Sequence, residues 1–413
     1  MNVCKRAKAA TFSCAVVIGI ATAASAQVRV VGTGDPHVDV PAVQNAVDVG
    51  GLVILKGHFS FAGTPTINPD VPGFPAATVR VSKAVTISGA DDQDEMTTIE
   101  GGQVPFEVDA PGSAVTIQRL RFVRPTSTAI EVSGVAGLVI ASCRIDGVQP
   151  LDDLSAGIAI NLFSFPTPDQ PGHPERISGT LLVVDNDVDV AGATVTDDAN
   201  GIALFNAGIP GAEVEAYLSG NRIRNTTEPG INVRRVVGRV YVERNHIRTA
   251  AFAGPAPRPE ALRLVNLGSY VVAQNSIDCR WPQAMGIGVF SQVAPWPIQD
   301  AIITENTVTM APPEGTVFGE DSAGIAVRGF ARGSVVLNNS IRGRAAKALS
   351  VSAFRGGAPS NTAFVLNRLD DFEASVADVV VGDGVSNTRI VGPGSVENHG
   401  TGTVIVRLPS REE

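Results

Sequence analysis

Three residues in the middle of the chain, Glu228, Glu260 and Arg263, have types and spacing suited to sugar chemistry. Two carboxyl groups on either side of one glycosidic bond can act as acid and as base or nucleophile in hydrolysis. A guanidinium beside them neutralises a uronate. In an elimination it would also have to serve as base, an awkward role for a group that holds its proton so tightly. Asn161, Phe205, Asn232, Arg234, Phe290 and Arg328 add amides, aromatic faces and guanidinium forks. Such groups hydrogen-bond hydroxyls, pack on sugar rings and pair with carboxylates or sulfates. The competing reading is that the acids cap turns and the arginines keep a long sheet soluble.

These residues share a surface only if the chain repeats, and it does. A small residue followed by alternating apolar positions recurs as Ala129-Ile-Glu-Val, Gly157-Ile-Ala-Ile, Gly201-Ile-Ala-Leu, Gly230-Ile-Asn-Val, Ala261-Leu-Arg-Leu, Gly286-Ile-Gly-Val, Gly324-Ile-Ala-Val and Ala348-Leu-Ser-Val. Each is answered by a second signature, first Cys143-Arg-Ile and then Asn186, Asn221, Asn245, Asn275, Asn306, Asn339 and Asn367, each two positions before an Ile, Val or Leu. The closest corners, Asn221 and Asn245, are 24 residues apart, and longer intervals carry Pro/Gly-rich insertions. A period this short, built from strands without helices, fits a coil in which each strand stacks on its equivalent one turn later. The repeated Asn can then form an amide ladder, and the Ile and Val side chains can fill the core in columns.

This pattern resembles the right-handed parallel β-helix superfamily, whose best-known members are pectate lyases and related polysaccharide enzymes. The resemblance covers roughly residues 50 to 405. It implies an all-β fold, a single-stranded right-handed parallel β-helix solenoid, with a short N-terminal capping helix and a substrate cleft over the sheet made by the Gly-Ile strands. No catalytic signature accompanies it. The Asp-Asp, Gly-His-Gly and Arg-Ile-Lys set of β-helical polygalacturonases is absent as a set. Asp35-Pro-His37 is similar to a motif of β-helical alginate epimerases, but Val38 stands where that motif needs Asp.

Alternation gives each Gly-Ile strand two outward positions. The nearer column reads Glu131, Ala159, Ala203, Asn232, Arg263, Gly288, Ala326 and Ser350. The farther one reads Ser133, Asn161, Phe205, Arg234, Val265, Phe290, Arg328 and Ser352. Long loops fall on both sides of this sheet, whereas the Asn corner never lengthens. Glu228 and Glu260, one coil apart just upstream of the sheet, are the pair that could meet one bound sugar.

Residues 1–26 read as a secretory signal peptide, with a basic start, an apolar run and Ala24-Ser25-Ala26 as cleavage site, so a secreted or periplasmic protein without stable membrane insertion is expected. Residues 27–50 form an N-terminal cap, with a helix carrying Val43, Ala46 and Val47 behind an N-cap at Asp39. Residues 51–406 form the β-helix, and 407–413 a charged tail. Asp plus Glu total 41 against 32 Lys plus Arg, which argues against nucleic acid as a partner. Cys143 and Cys279 face the core about 19 Å apart, at ~4.8 Å per coil, and stay free thiols. The five histidines do not fall at metal-ligand spacing, and no metal site is assigned. The loop bearing Asp91, Asp92, Asp94 and Glu95 is read as a solvated turn, with calcium the cofactor it could hold.

The function expected is binding of an extended acidic polysaccharide along the first-strand groove by a monomer. The alternative is a polysaccharide lyase or glycoside hydrolase acting on a uronic-acid-containing glycan.

Overall fold

The computed structural model describes residues 27–63, 77–91, 95–149, 157–163, 173–192, 199–251, 260–369, 371–392 and 394–408. Within these, 33 strands join in one network, each paired in parallel with an equivalent strand one turn away. One coil shows the plan. Ile231–Val236 lies in the first sheet, Gly238–Glu243 in the second and His246–Thr249 in the third. They stack on Glu260–Val265, Ser269–Ala273 and Ser276–Cys279 respectively. The chain is a right-handed parallel β-helix.

Its two sequence signatures are two sides of one packing problem. Inward first-sheet residues Ile202, Ile231, Leu262, Ile287 and Ile325 are fully buried and form one column of the core. The small residue before each lies under the inward Ile or Val of the third sheet. A Cβ on Gly201 would come within 2.4 Å of Ile223 Cγ2, on Gly230 within 2.5 Å of Ile247 Cγ2, and on Gly286 within 2.3 Å of Val308 Cγ1. The glycine is therefore the hole into which the third sheet's branched side chain fits.

The corner between second and third sheets is made by a single residue of positive φ followed by the ladder residue. Asp185, Arg244, Gln274, Glu305, Asn338 and Leu366 all lie there, with φ of 53° to 58°. For residues other than glycine that conformation costs roughly 1–2 kcal/mol, and the ladder offsets it. From Asn186 through Asn367 each Nδ2 donates to the next Oδ1 at 2.9 Å. The same Oδ1 accepts the backbone N–H of the preceding Asn, as Asn306 does from Asn275 at 2.9 Å. Cys143 begins the ladder through its N–H to Asn186 Oδ1, 2.9 Å, and both cysteines are free and buried.

The solenoid starts earlier than Gly51, since Gln27–Val31 already pairs with Gly51–Lys56. The capping helix, Pro36–Val49, buries Val43, Ala46 and Val47 as expected. Its N-cap is Asp35 rather than Asp39, because Pro36 occupies the first helical turn and the Asp35 side chain accepts from His37 N. Asp39 has another task. Buried, it accepts from Thr33 N and Oγ1, Gly34 N and Ser60 N at 2.8 to 3.0 Å, fastening the helix to the first coil. Gln44 covers the edge of Ala77–Val81 in the manner of a neighbouring strand: its Oε1 accepts from Arg80 N and its Nε2 donates to Arg80 O, both 2.9 Å.

Glycines also set the first-to-second corner. Gly238 has φ 135°, and a Cβ there would stand 2.0 Å from Val214 O. Gly238→Ala is expected to cost 3 kcal/mol or more, or to prevent folding, whereas Gly211→Ala, where φ is 87° and nothing lies within 4 Å, should cost about 1 kcal/mol. Urea midpoints of the two variants test this, and equal midpoints would refute the steric explanation.

Candidate functional site

Strand register fixes where each expected site residue stands. The outward column nearer the strand start reads Glu107, Glu131, Asn161, Ala203, Asn232, Arg263, Gly288, Ala326 and Ser350. The farther one contains Phe163, Phe205, Arg234, Val265, Phe290, Arg328 and Ser352. One expectation is corrected. The strand assigned to Gly157-Ile-Ala-Ile is Ile160–Phe163, so Ala159 is the equivalent of Gly201. Asn161 therefore joins the nearer column, and Phe163 takes the place beside Phe205, its ring 5.7 Å away and edge-on.

The face is more enclosed than alternation alone suggests. Asn161, Asn232, Glu228, Glu260 and Phe290 are all at least 95 % buried, while Phe205 and Arg234 are half-buried. The side chains of Arg263 and Arg328 are only 13 % and 14 % exposed.

Around Arg263 the contacts form a connected row. Asn200 Nδ2 donates to Glu228 Oε2 at 3.4 Å, and Asn232 Nδ2 donates to Asn200 Oδ1 at 3.0 Å. Arg263, the rung neighbour of Asn232, has Nε 3.7 Å from Glu260 Oε2 and its guanidinium 5.1 Å from the Phe290 ring centre. Gly288 is what makes room for Glu260, whose Cγ lies 2.7 Å from where a Cβ would be. Further on, Arg328 sits 4.8 Å over Phe354 and bonds Asp321 at 2.6 Å. Glu228 and Glu260 thus each have a partner of their own, an amide and a guanidinium, and the row of Asn200, Asn232 and Arg263 runs between them. On the same face, among the described residues, the Oδ1 atoms of Asn161 and Asn232 are buried and receive no hydrogen bond. Buried acceptors without donors are rare and costly.

No family model matches the chain, and no curated protein matches it. Solved structures share its coiled shape. The Dettilon tailspike protein aligns at TM-score 0.45 and 10% identity, over 86% of this chain and 68% of that one. The A-module of the Azotobacter vinelandii mannuronan C-5 epimerase AlgE4 aligns at 0.41 and 14%, over 92% and 96%. PfbA, a surface adhesin of Streptococcus pneumoniae, aligns at 0.41 and 13%, over 91% of each chain.

One further residue on the same face carries unusual electrostatics. Glu131 is 8 % exposed, and burial, then the Glu107 carboxylate one rung below, push its carboxyl up to about 8. Glu107 itself is ion-paired, Arg80 Nε lying 3.5 Å from its Oε2. Among the described residues, Asp109 and Arg176 also flank this strand pair, and they bond each other. Sequence patterning put Glu131 in the outward column, but Glu107 was signalled only by the Val-Pro-Phe-Glu-Val alternation of a less regular coil.

Elsewhere, the loop acids Asp152, Asp153, Asp197 and Asp198, and Asp92 and Asp94 of the candidate calcium loop, lie outside the described residues. Asp91 is ion-paired with Arg119. Among the described residues no group of three or more His, Cys, Asp or Glu is placed to hold a metal ion, and no helix is long and apolar enough to cross a membrane. A cavity of about 990 Å³, lined in part by Glu213, Arg239 and Asp300, opens at the start of the second-sheet strands and contains none of the first-sheet columns.

Proposed function

We propose that this is an exported protein, secreted or periplasmic, that binds an extended acidic polysaccharide along its first sheet. The observation that carries the reading is the pair of buried, donorless Asn161 and Asn232 oxygens in one column with Arg263. A glycan supplies hydroxyl donors at regular intervals, and the two amides stand two rungs apart, roughly 9.6 Å at ~4.8 Å per rung. Arg263 and Arg328, whose guanidinium groups lie over the Phe290 and Phe354 rings, can pair with carboxylates or sulfates, and the half-buried Phe205 can pack on a sugar ring. Residues 1–26, read as the export signal, lie outside the described part of the chain.

Affinity electrophoresis through gels cast with polygalacturonate, alginate or neutral dextran tests the reading. At least one acidic polymer is expected to retard the protein and dextran to leave it unaffected. Arg328→Ala should weaken retardation about tenfold, the loss of roughly 1.4 kcal/mol expected for one charge-assisted contact. Equal mobility in all gels would remove the acidic-polymer reading.

A further inference from the structure

We propose that the amino-terminal third of the same sheet holds a hydrolytic centre in which Glu131 is the acid/base and Glu107 the nucleophile for cleavage of a glycosidic bond. The inference rests on the glycan-binding reading for its substrate class, but its residues are separate from the arginine and phenylalanine cluster.

Three features place the centre. Glu107 and Glu131 are direct register partners on adjacent rungs of the outward column. Strands in neighbouring rungs lie ~4.8 Å apart, close to the roughly 5–5.5 Å between the carboxyl groups of retaining glycosidases. Their environments then divide the roles. Glu131, buried and facing a like charge, keeps its proton at neutral pH, since its carboxyl is pushed up to about 8. Glu107 is the carboxylate of an ion pair with Arg80. Arg80 is itself positioned by the Gln44 clamp from the capping helix. A buried, protonated carboxyl beside one held in an ion pair is the arrangement from which acid and nucleophile roles follow.

The third feature points to a ligand. Asn161, the next register partner beyond Glu131, is 95 % buried, and its Oδ1 receives no hydrogen bond. It offers an acceptor for a sugar hydroxyl beside the reacting carbon. Glu228 and Glu260, the pair suggested by the sequence, lack this division, because each is engaged by an uncharged amide or a guanidinium of its own.

The chemistry balances with water alone. A Glu107 oxygen bonds to the anomeric carbon as the glycosidic C–O bond breaks. The departing oxygen keeps the electron pair and takes the Glu131 proton. Water then loses a proton to the Glu131 carboxylate and attacks the anomeric carbon, and the ester bond to Glu107 breaks. Both side chains return to their starting states with configuration retained and one water consumed.

The test uses the mature protein, the polygalacturonate, alginate and dextran of the retardation gels, and three readouts: new reducing ends, unsaturated product absorbing in the ultraviolet, and the infrared carbonyl band of protonated carboxyl groups at pH 7. The proposal expects reducing ends without unsaturated product. Hydrolysis should fall at least about 10³-fold in Glu107→Gln and in Glu131→Gln, and azide should restore turnover to Glu131→Ala. It also expects Glu131→Gln to remove a protonated-carboxyl band, a readout that requires no substrate. Retention of a polymer without cleavage overturns the centre and leaves the binding reading standing. Cleavage of a polymer that the gels fail to retard supports the centre and removes the binding reading. Undiminished cleavage by Glu131→Gln, or an infrared spectrum that this substitution leaves unchanged, overturns the centre whichever polymer is bound.

Discussion

Asn275→Ala is expected to destabilise the protein by about 3–6 kcal/mol. Asn275 lies mid-ladder. Its Oδ1 accepts from Asn245 N at 3.0 Å and from Asn245 Nδ2 at 2.9 Å, and its Nδ2 donates to Val242 O at 2.8 Å and to Asn306 Oδ1 at 2.9 Å. Truncation leaves two donors and an acceptor buried without partners, each costing roughly 1–3 kcal/mol, and it leaves the positive φ of Gln274 without the bonds that offset it. The neighbouring Ser276 is exposed, and Ser276→Ala should fall within about 0.5 kcal/mol of the parent. Because a solenoid is held coil against coil, the loss should be local. Native-state hydrogen exchange should show the Asn245 amide, whose acceptor is removed, losing protection before those of the capping helix. Uniform protection in Asn275→Ala would mean that the ladder is incidental to stability.

The second large effect concerns pH. In the folded protein Glu131 holds its proton up to about 8, against a reference of 4.5. Below pH ~4.5 the group is protonated in folded and unfolded chains alike and has no linkage effect. Between the two values the folded state binds more protons than the unfolded state, so stability falls as pH rises, and the decrease is complete above about 8. The full span corresponds to on the order of 4 to 5 kcal/mol. Glu131→Gln keeps the shape and removes the titration. It should therefore match the parent in urea unfolding near pH 5 and exceed it by several kcal/mol at pH 9. Parallel stability curves would show Glu131 to be ionised throughout.

How far these features could be read from the chain depends on what alternation encodes. A period of two specifies which face a residue takes, so the core columns, the ladder and the two outward columns were legible. It is blind to a slip of two residues. Gly157-Ile-Ala-Ile and Ala159-Ile-Asn-Leu both satisfy the pattern, and only pairing of Ile160 with Ile130 and Ile202 decides between them, moving Asn161 by a whole position. At the cap, two aspartates four apart both precede apolar helical spacing. Pro36 was the discriminating signal, since proline is favoured in the first helical turn, and it selects Asp35. Enclosure of the first-sheet face was not legible, because it arises from long-range coverage of Glu228, Asn232 and Glu260. Nor was the coupling of Glu131 to Glu107, which requires knowing that residues 24 positions apart are rung neighbours.

The central claim is that a glycan lies on the first sheet, over the column from Glu131 to Arg263. The measurement that tests it most directly is a crystal structure of the mature Glu131→Gln protein soaked with a hexameric oligouronate. Sugar hydroxyls should appear within hydrogen-bond distance of Asn161 Oδ1 and Asn232 Oδ1, and a carboxylate should appear against Arg263 or Arg328. Sugar bound instead in the cavity beside Glu213, Arg239 and Asp300, with the first-sheet face empty, would contradict it.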